Sequence, residues 1–194
     1  MCQILNKVEN YVNELLDHSA SRNLLFHSLG HTKEVVNAVN EICKHSNVTE
    51  NELNVLIVAA WFHDCGYVKY YIGHEEESSR IAEFFLTGLN CDREFIKQVI
   101  KCINATKYSH IPSTLAEKII RDADMYHLCK PNYHIYEELL RRELELHQVF
   151  SLSDKEWQVQ NYEFLKNHQY HTEYGQKVLN HSKEINMQIV KENI

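Results

Sequence analysis

TENELNVLIVAAWFHDCG, residues 49–66, is the stretch whose reading decides the fold. Thr49-Glu50-Asn51-Glu52 is a capping box: the Thr hydroxyl accepts from the backbone three residues on, and Glu52 reaches back to the cap. The helix that starts there carries Leu53, Leu56, Ile57, Ala60 and Phe62. It is apolar on nearly every side, as expected of the central helix of a bundle rather than a surface one. Gly66 is its expected stop. The run Val55 to Phe62 is far short of the ~20 apolar residues that span a bilayer.

Helical periodicity continues on both sides. Ile4, Val8, Val12, Leu15 and Leu16 share one face of a helix over Ile4 to about His18, and Val35, Val36, Val39 and Ile42 stripe one from about His31 to Lys44. A helix from about Glu75 to Leu86 is expected to bury Ile81, Phe84 and Phe85. Asp92 caps one with Phe95, Ile96, Val99, Ile100 and Ile103, and Pro112-Ser113 opens another through Leu115, Ile119 and Ile120. After a turn at Pro131, Glu137–Arg141 and Glu138–Arg142 read as i,i+4 pairs on a wet face. Ser153-Asp154-Lys155-Glu156 is a second capping box, before Trp157 and Phe164, and Thr172 caps the last helix. No segment alternates with period two, so the chain reads as an all-α bundle.

Composition agrees. Of 194 residues only 2 are Pro and 5 Gly, which suits long helices with short connections. The length fits one domain with its own core. The net charge of −7 argues against a nucleic-acid polymer as partner. Nothing in the first 25 residues resembles a signal peptide, and there is no membrane segment. The six cysteines (Cys2, Cys43, Cys65, Cys91, Cys102, Cys129) include no C-x-x-C pair and read as reduced, mostly buried thiols. A cytoplasmic location follows. Tyr162, Tyr170 and Tyr174 suit helix packing best, leaving a substrate lid or a homo-oligomer interface open.

The chemistry begins with His63-Asp64 at the end of an apolar helix, where burying both groups unpaired would cost roughly 2–7 kcal/mol. A divalent cation would satisfy both. His31, opening an earlier helix, and one Asp of Asp122-Ala123-Asp124 would complete a set of two imidazoles and two carboxylates. Such a set suits six-coordinate Mn²⁺, Fe²⁺, Ni²⁺, Co²⁺ or Mg²⁺ with water positions to spare. Singly, each member reads as a cap or surface pair; the ordered set H…HD…D carries the inference.

That set, in His27-Ser28-Leu29-Gly30-His31, Ala59-Ala60-Trp61-Phe62-His63-Asp64 and Ile120-Arg121-Asp122-Ala123-Asp124, resembles the HD superfamily of metal-dependent phosphohydrolases. The resemblance covers about 27–128, with helices over about 132–192 packed on that core. It implies an HD-type single-domain bundle and makes His31, His63, Asp64 and Asp124 the metal ligands. Asp124 is preferred because a bulky run follows it; Asp122 becomes a supporting or capping group. His27, four residues before His31, is similar to the general acid of related cyclic-nucleotide phosphodiesterases, although Ser28 replaces their usual Asn. His74 matches a position that serves a second ion, and His110 is a further candidate. Lys107, closing a helix, could meet a substrate phosphate. His127, His134, His147, His168, His171 and His181 read as core or surface residues.

The expected activity is hydrolysis of a small phosphate ester or nucleotide, cyclic nucleotides included, as a phosphomonoesterase or phosphodiesterase. Hydroxide generated at the metal and held by Asp64 would attack phosphorus, and His27 or His74 would protonate the leaving oxygen. An HD-fold di-iron oxygenase and a catalytically silent nucleotide-binding protein are the alternatives.

Overall fold

The computed structural model describes residues 2–17 and 23–194. The expectation that the first helix reaches His18, and the side chain of Cys2, lie outside the described residues. Helices are α1 Cys2–Leu16, α2 Leu29–Lys44, α3 Glu50–Phe62, α4 His74–Gly88, α5 Arg93–Ala105, α6 Leu115–Asp124, α7 Tyr133–Leu146, α8 Asp154–Asn167 and α9 Asn180–Glu192. Short 3-10 turns follow α3 and α6, and a π turn, Gly175–Leu179, leads into α9. No strand occurs among the described residues, so the chain is all-α, as its sequence predicts.

The capping box at Thr49 forms as expected, and α3 packs against α1, α2, α4, α5 and α6. Leu56, Val58, Ala59, Ala60 and Phe62 are fully buried along it. Each large apolar side chain sealed there contributes about 1.5–3 kcal/mol. A smaller cluster of Leu128, Tyr133, Leu165 and Val190 joins α7, α8 and α9. The described cysteines are unpaired, and Cys43, Cys65 and Cys102 are buried. Among the described residues, no helix is long and apolar enough to cross a membrane.

Four expectations need correction. Gly66 is no left-handed stop: it sits inside the 3-10 turn after α3, and Gly73 alone among the described glycines has positive φ. A Cβ on Gly66 would lie 1.9 Å from the His74 carbonyl oxygen, so it is close backbone approach that requires glycine here. Phe84 is exposed; on α4 it is Ser78, Ala82 and Leu86, one helical row at i+4 spacing, that face inward. Helix α6 is capped by Thr114 rather than opened by Pro112-Ser113, and Asp122 and Asp124 lie in its last turn instead of between helices. Finally, Glu137 and Arg141 do not pair: Glu137 is buried and accepts from Trp157, while Arg141 binds Glu145 and Asp154. Glu138–Arg142 does form on the exposed face, at 2.6 Å.

The α6 cap carries a pH signature. Glu117 is buried, and its Oε2 accepts from Ser113 N at 2.6 Å and Thr114 N at 3.1 Å, with Lys101 Nζ 3.0 Å from Oε1. Burial alone would raise its pKa, but these donors hold it well below the usual carboxylate range. A carboxyl whose pKa is depressed by folding stabilises above its unfolded value, near 4.5, and loses that contribution as pH falls. Glu117→Gln is therefore expected to lower the urea midpoint at pH 7, with the gap to wild type narrowing steadily below pH 4.5. A gap independent of pH would mean the charge on Glu117 contributes nothing.

Candidate metal centre

Three helix ends deliver the centre. His31 lies in the first turn of α2, whose cap Ser28 accepts from the His31 backbone. His63 follows the last residue of α3 and folds back so that its Nδ1 lies 2.8 Å from the Ala60 carbonyl. A carbonyl only accepts, so Nδ1 carries the hydrogen and Nε2 is the atom left to face a cation. This bond also satisfies one of the carbonyls that a helix C-terminus leaves without a partner. Asp64, next in the chain, and Asp124, the last residue of α6, bring the carboxylates.

The functional atoms converge. The two Nε2 atoms are 3.4 Å apart, and Asp124 Oδ1 is 3.2 Å from that of His31 and 3.5 Å from that of His63. Asp64 Oδ2 is 3.5 Å from His31 Nε2 and 3.1 Å from His63 Nε2. Ligands about 2.1 Å from a common ion, at angles of about 90–110°, lie about 3.0–3.5 Å apart. His31, His63 and Asp124 each offer one atom within 4.8 Å of the other two. Asp64 Oδ2 is buried and has no hydrogen-bond partner. Two imidazole nitrogens facing two carboxylates, one carboxylate oxygen orphaned, fit a divalent cation that takes the place of the protons held between them.

Electrostatics reinforces that fit. Burial opposes charge on His63, but Asp64 and Asp124 outweigh it and hold the pKa well above its usual value. Against the same burial, the imidazoles hold both carboxyls low. His127, which the sequence marks only as a core or surface residue, lines the adjoining cavity; burial and the nearby His31 push its pKa down to about 3.

A second layer surrounds these four residues. His27 Nδ1 donates to Glu143, which also accepts from Phe26 N at 2.7 Å, His27 N at 3.0 Å and Tyr71 Oη at 3.0 Å. The other ring nitrogen of His27 lies 3.3 Å from Tyr67 Oη. Burial lowers the His27 pKa, yet the Glu143 contact and the charge of Asp64 more than reverse this and raise it. His74 opens α4, stacks on Tyr67 with ring centroids 3.8 Å apart, and points Nε2 at Asp64 Oδ1 from 3.7 Å. Asp64 thus turns one oxygen to the imidazole pair and the other to His74.

Asp122 takes the supporting role expected of it, and two weaker candidates, His110 and Lys107, lie away from the centre. Asp122 is buried and accepts from His171 N, Thr172 N and Thr172 Oγ1, each within 2.8 Å, tying α6 to the segment before the π turn. His110 lies 3.6 Å from Glu117, at the far end of α6, about 10 Å along the helix from Asp124. Lys107, expected to meet a phosphate, pairs with Glu76 at 2.7 Å and does not line the cavity. Glu143, Tyr67 and Tyr71 escaped the sequence reading. Glu143 is 116 residues from His27, and nothing local to it signals the contact.

A cavity of about 330 Å³ opens beside the centre, reached by His27, Asp64, His74 and Asp124 and walled largely by aromatic side chains. Among the described residues, no Lys or Arg lines it.

Residues 28–129 match the family model described as HD domain. Among solved structures, the chain is similar to a predicted HD superfamily hydrolase from an uncultured Thermotogales bacterium, with a TM-score of 0.62 and 21% identity. That match covers 97% of this chain and 90% of the other, and at such identity it speaks to the fold alone. No curated protein matches.

Proposed function

This chain belongs to the HD-domain family, and from that premise we propose that it is a metal-dependent phosphohydrolase acting on a small phosphate ester or nucleotide. The observation that carries the reading is the convergence of His31, His63 and Asp124 on one point, with the orphaned Asp64 oxygen against both imidazoles, beside an open cavity.

Those four residues would hold the cation, which when bound supplies Lewis acidity and makes water more acidic. The chain's own groups do the rest. Asp64, with an oxygen directed away from the imidazole pair, orients the attacking water and accepts its hydrogen bond. His27 carries a proton on Nε2, kept there by Glu143 behind it, and delivers it to the departing oxygen. Such proton transfer contributes about 10²–10⁴-fold. Tyr67 fixes the imidazoles of His27 and His74 by stacking and stays protonated, its pKa pushed far up by burial. Because no Lys or Arg among the described residues lines the cavity, a phosphodiester or monophosphate suits their arrangement better than a polyphosphate, whose charge would lack partners there.

The test is a panel of phosphomonoesters, phosphodiesters and linear and cyclic nucleotides, run with Mn²⁺, Fe²⁺, Ni²⁺, Co²⁺ or Mg²⁺. Hydrolysis that disappears with chelator and returns with metal is expected; no turnover of any member with any of these metals would sink the reading. His74 beside the second oxygen of Asp64 is the one contact that favours a di-iron oxygenase instead. Two irons per chain with O₂ uptake would mark that outcome.

A further inference from the structure

The cavity wall built by α7 and α8 carries an unmet charge. Glu137 is 8% exposed, and its Oε1 accepts from Trp157 Nε1 at 2.6 Å and Gln158 Nε2 at 3.0 Å. Its Oε2 receives no hydrogen bond from the described residues, and no Lys, Arg or His among them pairs with it. Arg141, one turn further along α7, is occupied by Glu145 and Asp154. Beside it, Asn161 is 7% exposed, its Oδ1 taken by Tyr133 Oη; its buried Nδ2 has no acceptor at good hydrogen-bonding distance and lies near enough to the Glu137 carboxylate to lower that group's pKa slightly. Glu137 and Asn161 both line the cavity that holds Asp64 and Asp124.

A buried carboxylate without a counter-charge is costly, and two neutral donors offset only part of that cost. The remaining lone pairs face a space that a ligand enters. The walls around them, including Trp157, Tyr136 and Phe164, are aromatic, which favours planar or cationic groups over aliphatic hydroxyls. A phosphate end is drawn to the cation site; the opposite end must answer a carboxylate.

We propose that Glu137, with Asn161 beside it, forms a specificity subsite for a substrate nitrogen that donates N–H, so that the substrate is a phosphate compound with an N–H donor at its other end. This rests on the phosphohydrolase reading and narrows it. Two sources share that chemistry: a primary ammonium on a short aminoalkyl phosphate, and the N–H edge of a nucleobase, whose neighbouring carbonyl would take the Asn161 amide in place of its long contact to Glu137. Burial holds the Glu137 pKa up, and a ligand N–H would supply the opposing pull.

The experiment compares matched pairs by calorimetry on the full chain, with Mn²⁺ present and again with chelator. One arm sets 2-aminoethyl phosphate against ethyl phosphate; the other sets guanosine 5′-monophosphate against its N1-methyl form. In one arm the N–H member is expected to bind about 10–100-fold tighter, the scale of one charge-assisted hydrogen bond, and Glu137→Gln should erase the preference. The arm that responds identifies the source. Equal affinities within both pairs of wild-type protein would overturn the proposal, with no need for the variant to fold. So would a preference that survives in a folded Glu137→Gln protein. Hydrolysis of bis(p-nitrophenyl) phosphate, followed in parallel, separates the two readings: turnover without N–H preference removes the subsite alone, whereas N–H preference without turnover leaves the subsite and removes the hydrolase.

Discussion

Asp124→Ala is expected to leave a folded chain that no longer retains metal and has lost at least about 10³-fold in kcat/KM, the equivalent of several kcal/mol of transition-state stabilisation. Asp124 Oδ1 touches both imidazoles, so its removal opens one side of the set rather than trimming a single contact. The remaining His31, His63 and Asp64 still face one another, but with one negative charge fewer to attract a dication. Two measurements check the result independently of turnover. Metal content after dialysis should fall from stoichiometric to negligible. Thermal stabilisation by added Mn²⁺ should vanish as well; for wild type it would reach about 2.7 kcal/mol at a metal concentration 100-fold above Kd. A variant that keeps its metal and its rate would show that Asp124 is not a ligand.

Glu143→Gln should have the second largest effect, and through a different step. The carboxylate takes four donors from Phe26, His27 and Tyr71, and it alone fixes the hydrogen on His27 Nδ1. An amide keeps the shape, loses the charge that raises the His27 pKa, and brings its own N–H groups against those of the backbone. Activity towards esters with poor leaving groups is expected to fall about 10²–10⁴-fold, the range of a lost general acid. An activated ester such as p-nitrophenyl phosphate, whose leaving group needs no proton, should fall much less. The buried donors left facing an amide should also destabilise the fold by about 1–3 kcal/mol, read from the urea midpoint. Equal losses on good and poor leaving groups would reduce Glu143 to a structural residue.

The helices were legible because their signals are local. The capping boxes at Thr49 and Ser153 and the Asp92 cap all form where the sequence places them. The HD pair was legible because polar residues ending an apolar helix need an explanation within a few residues. Spacing failed where the question was which face is wet. Glu137 and Arg141 have i,i+4 separation, but separation states who can meet, not what else competes; Trp157 Nε1 and the Asp154 carboxylate competed and won. Glu143 illustrates the same limit. In YEELLRRELEL it looks like one more surface acid, and only the docking of α7 against the segment that carries Phe26 and His27 makes it an interior one.

Residues 28–129 contain every candidate ligand of the cation, whereas Glu137, Trp157 and Asn161 all come after them. On the proposed reading, the ligands of the cation and the groups that choose the substrate are encoded in separate stretches of chain that meet at one chamber. Alterations around Glu137 and Asn161 would then redirect what enters while leaving the cation's ligands and the Glu143–His27 pair in place, and a change of diet would be the cheaper evolutionary step.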